Sequence, residues 1–286
     1  MNMWPSRWVR SGALGAAMAA AWLGLASCGP ATFYVALGDS FTAGPVIPVQ
    51  QDAPAGCLRS DHNYPHLFAP SSGHPGFRDV SCSGATTDDM TQPQQVDPDG
   101  PNPPQFDVLN SRTRLVTLGI GGNDIGFVEI AESCATPVPT GTPCQDQYVT
   151  AAGDEVSQRI ADTAPKVAAV LQGIHSRAPQ ARILVIGYPA LLPESGPGCH
   201  PTMPIAPDDV PYLRDKEKEL NTMLQTQALA NGAEYVDTYT PSIGHDACAL
   251  PSVRWVEPVV PASPAAPIHP NGLGMEQIAL IVEAAL

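Results

Sequence analysis

Thr32-Phe33-Tyr34-Val35-Ala36-Leu37 runs directly into Gly38-Asp39-Ser40-Phe41-Thr42-Ala43-Gly44. The first stretch, rich in aromatic and β-branched residues, predicts a strand, and the glycine-bounded heptad predicts a sharp turn into a helix. At such a turn the first backbone N–H groups of the helix have no partner within it and point outward. Ser40 would then stand exposed with hydrogen-bond donors beside it, where a nucleophile belongs. Gly-Asp-Ser alone is a common turn. What gives it weight is that three further blocks follow in the order a nucleophilic site requires.

Outward from that turn, strand-like runs recur at 77–81, 115–120, 182–187 and 234–239. Helical stretches over 154–176 and 208–231 lie between them, the first with Val156, Ile160, Val167, Val170, Leu171 and Ile174 near a three-to-four spacing. The apolar segment 274–286 predicts a last helix. Alternating strand and helix implies right-handed crossovers and a three-layer α/β/α fold with a mostly parallel central sheet. Proline-rich stretches at 93–104, 137–143, 193–207 and 258–270 read as long loops at strand ends, where sites are built. No internal repeat is present.

The chain opens on Arg7 and Arg10, continues through the uncharged, mostly apolar 11–27, and reaches Leu25-Ala26-Ser27-Cys28. This predicts a secretory signal over 1–27 and a single catalytic domain over 28–286. The four-residue pattern resembles a bacterial lipoprotein signal, which implies that Cys28 is acylated and tethers the protein to the outer face of the cell membrane. A cut nearby with release into the medium, and an uncleaved membrane helix, are the competing outcomes. Lys+Arg 14 against Asp+Glu 28 gives a net charge of −14. That balance argues against nucleic acid and against adsorption on anionic head groups. A monomer is expected.

Beyond Cys28 six cysteines remain, an even number that points to disulfides in an exported chain. Fifteen connectivities are possible and the sequence alone does not choose among them. Nearest-neighbour pairing, Cys57 with Cys82, Cys134 with Cys144 and Cys199 with Cys248, is expected because each bridge would staple a Pro/Gly-rich loop. Zinc is discounted for want of a close Cys-x-x-Cys pair or matching histidines.

The second block, Ser83-Gly84-Ala85-Thr86, follows the 77–81 strand; a glycine there lets the backbone come close to a ligand and turn its N–H inward. The third, Gly119-Ile120-Gly121-Gly122-Asn123-Asp124, follows the next strand, and the Asn123 amide is a neutral donor for a developing oxyanion. It has neither the lysine of a P-loop nor dinucleotide-loop glycine spacing. In the fourth, His269-Pro270-Asn271-Gly272, the following proline keeps the histidine out of helix and presents its ring at a set angle, so His269 is the candidate base.

The four blocks together resemble the SGNH hydrolase, or GDSL esterase/lipase, family over nearly the whole chain after the leader. Gly121 to Phe127, Tyr239 to Cys248 and Trp255 to Pro258 are most similar to secreted actinomycete lipases and esterases with three sequential disulfides, which supports the pairing above. The resemblance implies a flavodoxin-like hydrolase fold and hydrolysis of carboxylic esters, lipids among them. It implies Ser40 as nucleophile, His269 as base, and the N–H groups of Ser40 and Gly84 with the Asn123 amide as oxyanion hole. Loss of one such donor raises the barrier by about 3 kcal/mol. No metal or organic cofactor is needed for this mechanism.

One position departs from the family. An aspartate usually stands three residues before the histidine, and here that residue is Ala266. In the similar actinomycete enzymes a carbonyl two residues before the histidine orients the ring, which maps to Pro267. Asp39, Asp124, Asp237, His245 and Asp246 are read as bracing turns and loops. A carbohydrate deacetylase or thioesterase would use the same residues, and a surface-binding lipoprotein with a decayed site is the non-enzymatic alternative.

Overall fold

Alternate residues of the central strands face two different apolar layers, and that alternation builds the fold. The computed structural model describes residues 1–3 and 31–286. The rest of the expected leader, and Cys28, lie outside the described residues. In chain order the elements are β1 (Phe33–Gly38), α1 (Ser40–Ala43), α2 (Tyr64–Phe68), β2 (Gly76–Asp79), β3 (Thr113–Gly119), α3 (Phe127–Ser133) and α4 (Pro143–Tyr148). There follow a two-stranded hairpin of β4 (Val149–Thr150) and β5 (Gly153–Asp154), then α5 (Glu155–Arg177), β6 (Arg182–Ile186), α6 (Val210–Ala230), β7 (Glu234–Val236), α7 (Tyr239–Ser242) and α8 (Gly272–Ala284).

The main sheet is fully parallel in the order β2-β1-β3-β6-β7. Val35, Leu37, Val116, Leu118, Ile183 and Val185 face a layer that holds Val167 and Leu171 of α5 and Leu220 and Leu224 of α6. Tyr34, Ala36, Leu115, Leu184 and Ile186 face the other, made of Tyr64 and Phe68 of α2 and Met275, Ile278 and Val282 of α8. Burial on both faces is why these strands read as continuous apolar runs. β1 and β3 stay paired to their last residues, Gly38 and Gly119, and strand order reverses between them, so the segments that follow part and leave a crevice, the place where open α/β sheets bind ligands. Among the described residues no helix is long and apolar enough to cross a membrane.

The three bridges form as expected: Cys57–Cys82, Cys134–Cys144 and Cys199–Cys248. The three-layer α/β/α fold with its mostly parallel sheet is likewise the one the sequence implies. Several boundaries differ. The run 234–239 stops as a strand at Val236 and Tyr239 opens α7 instead. There the Asp237 carboxylate accepts the Thr240 N–H at 3.0 Å and the Thr238 hydroxyl donates to the Gly187 carbonyl at 2.6 Å, so polar side chains capture backbone groups a ladder would need. Helices α2, α3 and α4 form inside stretches without a helical signal. They are too short to show a periodicity, and caps and bridges set them: Asn63 accepts the His66 N–H at 3.1 Å, and α4 carries Cys144.

Candidate active site

Ser40 is the first residue of α1 and is buried beside the crevice. Asp39 caps the helix: one of its oxygens accepts the Phe41 N–H at 2.9 Å, and its own N–H donates to the Gly119 carbonyl at 2.9 Å. The preceding Gly38 is gripped on both sides by the buried Gln105 amide, at 2.8 and 2.9 Å. The turn is therefore held to β3 and to the 105–108 segment, and not by local propensity alone.

His269 comes from the far end of the chain. Its Nε2 lies 2.7 Å from Ser40 Oγ and its Nδ1 lies 2.7 Å from the Pro267 carbonyl oxygen. A carbonyl only accepts, so Nδ1 carries the ring proton and Nε2 is left to accept from the serine hydroxyl. Ile268 between them takes φ 60°, a left-handed conformation that a β-branched residue avoids. The surroundings enforce it: Ile268 N–H donates to the Glu257 carbonyl at 3.1 Å, Glu257 N–H donates to the His269 carbonyl at 3.0 Å, and Ala266 N–H donates to the Pro45 carbonyl at 3.1 Å. The ring also lies against Phe41, with centroids 4.8 Å apart. Burial of this half-exposed ring pushes its pKa below the ordinary histidine value, and the Pro267 carbonyl pulls it the other way.

The donors arrive from the next two strands. Cys82 N–H donates to the Gly38 carbonyl at 3.0 Å, and Asn123 Nδ2 donates to the Ala85 carbonyl at 2.8 Å. Gly84 lies between those two anchors with φ 80°, a conformation suited to glycine. Neither its N–H nor that of Ser40 donates to a protein acceptor among the described residues. Among the described residues the Ala85 carbonyl is the one acceptor the Asn123 amide N–H₂ meets. Asp124 braces this loop: it accepts the Thr87 N–H at 3.0 Å and the Thr87 hydroxyl at 2.5 Å. Burial raises the Asp124 carboxyl, with those bonds opposing the shift.

Ser40, Asn123 and His269 line one cleft with an empty volume of about 1020 Å³ counted out to its mouth. Its wall is apolar, built from side chains such as Ile130, Val156, Leu191, Leu192, Met203, Ile205 and Leu220. Three residues of charged type line it, Asp39, Lys216 and Glu217, and each is held by partners. Lys216 Nζ is held 2.8 Å from Asp154 and 2.8 Å from Glu219. Glu217 is buried, accepts the Leu191 N–H, and is pushed well above the usual carboxylate range by burial. Among the described residues no group of three or more His, Cys, Asp or Glu side chains is placed to hold a metal ion.

Sequence reasoning brought Ser40, Gly84, Asn123, Pro267 and His269 forward, and the structure draws Ser40, Pro267 and His269 into one hydrogen-bonded line with Asn123 in the same cleft. It missed Tyr188 and Gln105, which carry no motif and meet the site only through folding, and it gave no role to Phe41 and Glu257 although both lie inside quoted blocks. Of the residues read as bracing, Asp237 accepts the Thr240 N–H, Asp246 accepts the Cys248 N–H at 2.9 Å, and His245 stacks on Trp255 at 4.7 Å.

A family model described as the GDSL-like lipase/acylhydrolase family matches residues 36–277. Lipase 2 of Streptomyces coelicolor is 41% identical over 276 residues, covering 93% of this chain and 90% of that protein. The crystal structure of an extracellular lipase from Streptomyces rimosus is similar at TM-score 0.73 and 26% identity, over 90% of this chain and 100% of that one. Phospholipase A1 of Streptomyces albidoflavus NA297 is similar at TM-score 0.73 and 25% identity, over 90% of this chain and 99% of that one.

Proposed function

This chain belongs to the GDSL-like lipase/acylhydrolase family, and on that premise we propose that it is an exported serine hydrolase that cleaves carboxylic esters of apolar acyl chains through an acyl-enzyme on Ser40. The observation that carries the reading is the line from the Pro267 carbonyl through the His269 ring to Ser40 Oγ, 2.7 Å at each contact. As Ser40 Oγ attacks the ester carbonyl carbon, its proton passes to His269 Nε2, and the imidazolium returns that proton to the departing alcohol. Water then attacks the acyl-enzyme, gives a proton to Nε2, and the serine oxygen leaves with it as the acid is released. The oxyanion formed in each half is received by the Ser40 and Gly84 N–H groups and the Asn123 amide.

Support for an apolar acyl group comes from the cleft, whose wall is mostly aliphatic: the Lys216 ammonium on it is matched by carboxylates, and burial pushes the Glu217 carboxyl well above the usual range. A sugar acetate would leave that wall without a matching surface. Three disulfides suit an oxidising compartment, and a structural relative is named an extracellular lipase. The reading includes a single catalytic domain after residue 27, a monomer in solution, and a lipid tether on Cys28. Hydrolysis of a short p-nitrophenyl ester is the direct test. Wild type is expected to turn it over and a folded Ser40→Ala variant to lose about 10⁴-fold or more in kcat. Equal rates for the two proteins would refute the assignment.

A further inference from the structure

Tyr188 follows β6 and belongs to none of the four blocks that carry the chemistry. Its backbone is gripped at both polar groups by the Asn221 side chain, N–H to Oδ1 at 2.8 Å and Nδ2 to the carbonyl at 2.9 Å. Its ring stands edge-on to Phe41, with centroids 5.1 Å apart, and is buried. From that fixed base the phenol oxygen makes two short bonds. It accepts the Gly122 N–H at 2.7 Å and donates to Asp39 Oδ2 at 2.6 Å. Asp39 thus uses one oxygen to cap the helix that begins at Ser40 and the other to hold Tyr188. A side chain at residue 122 would reach within 2.9 Å of the phenol oxygen, so the glycine there allows the loop to close onto the ring.

We propose that Tyr188 is a positioning residue for ester hydrolysis, and that the chain Gly122 N–H to Tyr188 O–H to Asp39 sets the loop carrying Asn123 against the turn carrying Ser40. The inference rests on the function proposed above and deepens it. The nucleophile turn follows β1 and the Asn123 loop follows β3. They flank the crevice where strand order reverses and are joined at its base by the Asp39 N–H on the Gly119 carbonyl, but Asn123 stands four residues beyond that bond. Donors that receive an oxyanion act only if they are held in place before charge develops, and a small displacement weakens them in the transition state with little effect on substrate binding. The phenol supplies that hold across the crevice. It has the polarity the chain needs: a donor on Gly122, an acceptor on Asp39, and one group between them that does both.

Tyr188→Phe keeps the ring and its packing and removes one oxygen. Its kcat on p-nitrophenyl butyrate is expected to fall about 10- to 100-fold, with KM within about two-fold of wild type. In combination with Asn123→Ala the loss is expected to be no larger than that of Asn123→Ala alone, because both act through the same donor. The Gly122 amide, deprived of its acceptor, is expected to exchange with deuterium faster by NMR. A kcat for Tyr188→Phe within about two-fold of wild type, or losses that multiply in the double variant, would overturn the proposal. Should Tyr188→Phe fail to fold, Asp39→Asn reads the same chain from its other end. If its amide oxygen keeps the Phe41 cap, its NH₂ faces a phenol that then lacks an acceptor, and the same kcat loss and non-additivity are expected. Wild type that hydrolyses no ester would remove the underlying function instead, and an unchanged Gly122 exchange rate in Tyr188→Phe would then still refute the hydrogen-bond chain.

Discussion

The base role proposed for His269 requires a neutral ring, and its surroundings favour that form. Burial disfavours the imidazolium, and among the described residues the only group placed on Nδ1 is a neutral carbonyl. The acid limb of kcat/KM is therefore expected to have its midpoint below 6.5, the ordinary value for histidine. A midpoint above 6.5 would mean that an acid faces the ring after all. Stability follows the same sign: as pH falls through 6.5 the unfolded chain takes up the proton first, so this residue lowers stability below 6.5 and contributes nothing above it. Ala266 stands where most of the family has an acid. Because Nδ1 already has its acceptor, Ala266→Asp is expected to change kcat by less than about three-fold, and a rise of ten-fold or more would show that Pro267 is not the effective partner. Sequence alone named Ser40, Asn123 and His269, whose types and order follow from the chemistry. It did not name Tyr188 or Gln105, since one hydroxyl or one amide carries no signal until folding delivers it to a target.

At the scale of elements, the loop that presents His269 is set from both ends. Asn271 caps α8 through the Gly274 N–H at 2.9 Å, and its amide donates to the Arg254 carbonyl at 3.0 Å and to Glu257 Oε1 at 2.7 Å. Glu257 is in turn paired with Arg254 at 2.9 Å and its carboxyl sits below the usual range; burial opposes that shift and the Asn271, Ala262 and Arg254 contacts drive it. Removing one cap and two buried bonds, Asn271→Ala is expected to lower stability by about 2 kcal/mol in chemical denaturation. A loss below about 0.5 kcal/mol would show that the helix end does not depend on this side chain. Long elements were legible because their periodicity accumulates over many residues: α5 spans Glu155–Arg177 against an expected 154–176, and β6 starts at the expected Arg182. Short ones were not, and the end of β7 was misplaced because Asp237 and Thr238 divert the backbone.

Across the whole molecule, the chemistry depends on a parallel sheet that brings residues 40, 84, 123 and 269 to one edge, and on whatever holds the enzyme near its substrate. If Cys28 carries the tether, Cys28→Ala is expected to move the protein from the membrane fraction to the soluble one, and unchanged retention would refute lipidation. Composition alone determined that an acidic, cysteine-paired chain suits the outside of a cell. Strand and helix alternation determined the layered α/β class, and the order of four short blocks determined the type of chemistry. These are properties of residue type and spacing, which a linear string carries in full. Tertiary structure decided that the Pro267 carbonyl, which the family resemblance implied, lies 2.7 Å from the ring nitrogen, that the cleft wall is mostly aliphatic, and that a tyrosine following a different strand spans from Gly122 to Asp39. Each of these depends on angles and separations of a few ångströms between segments far apart in the chain, and such distances exist only once the core has packed.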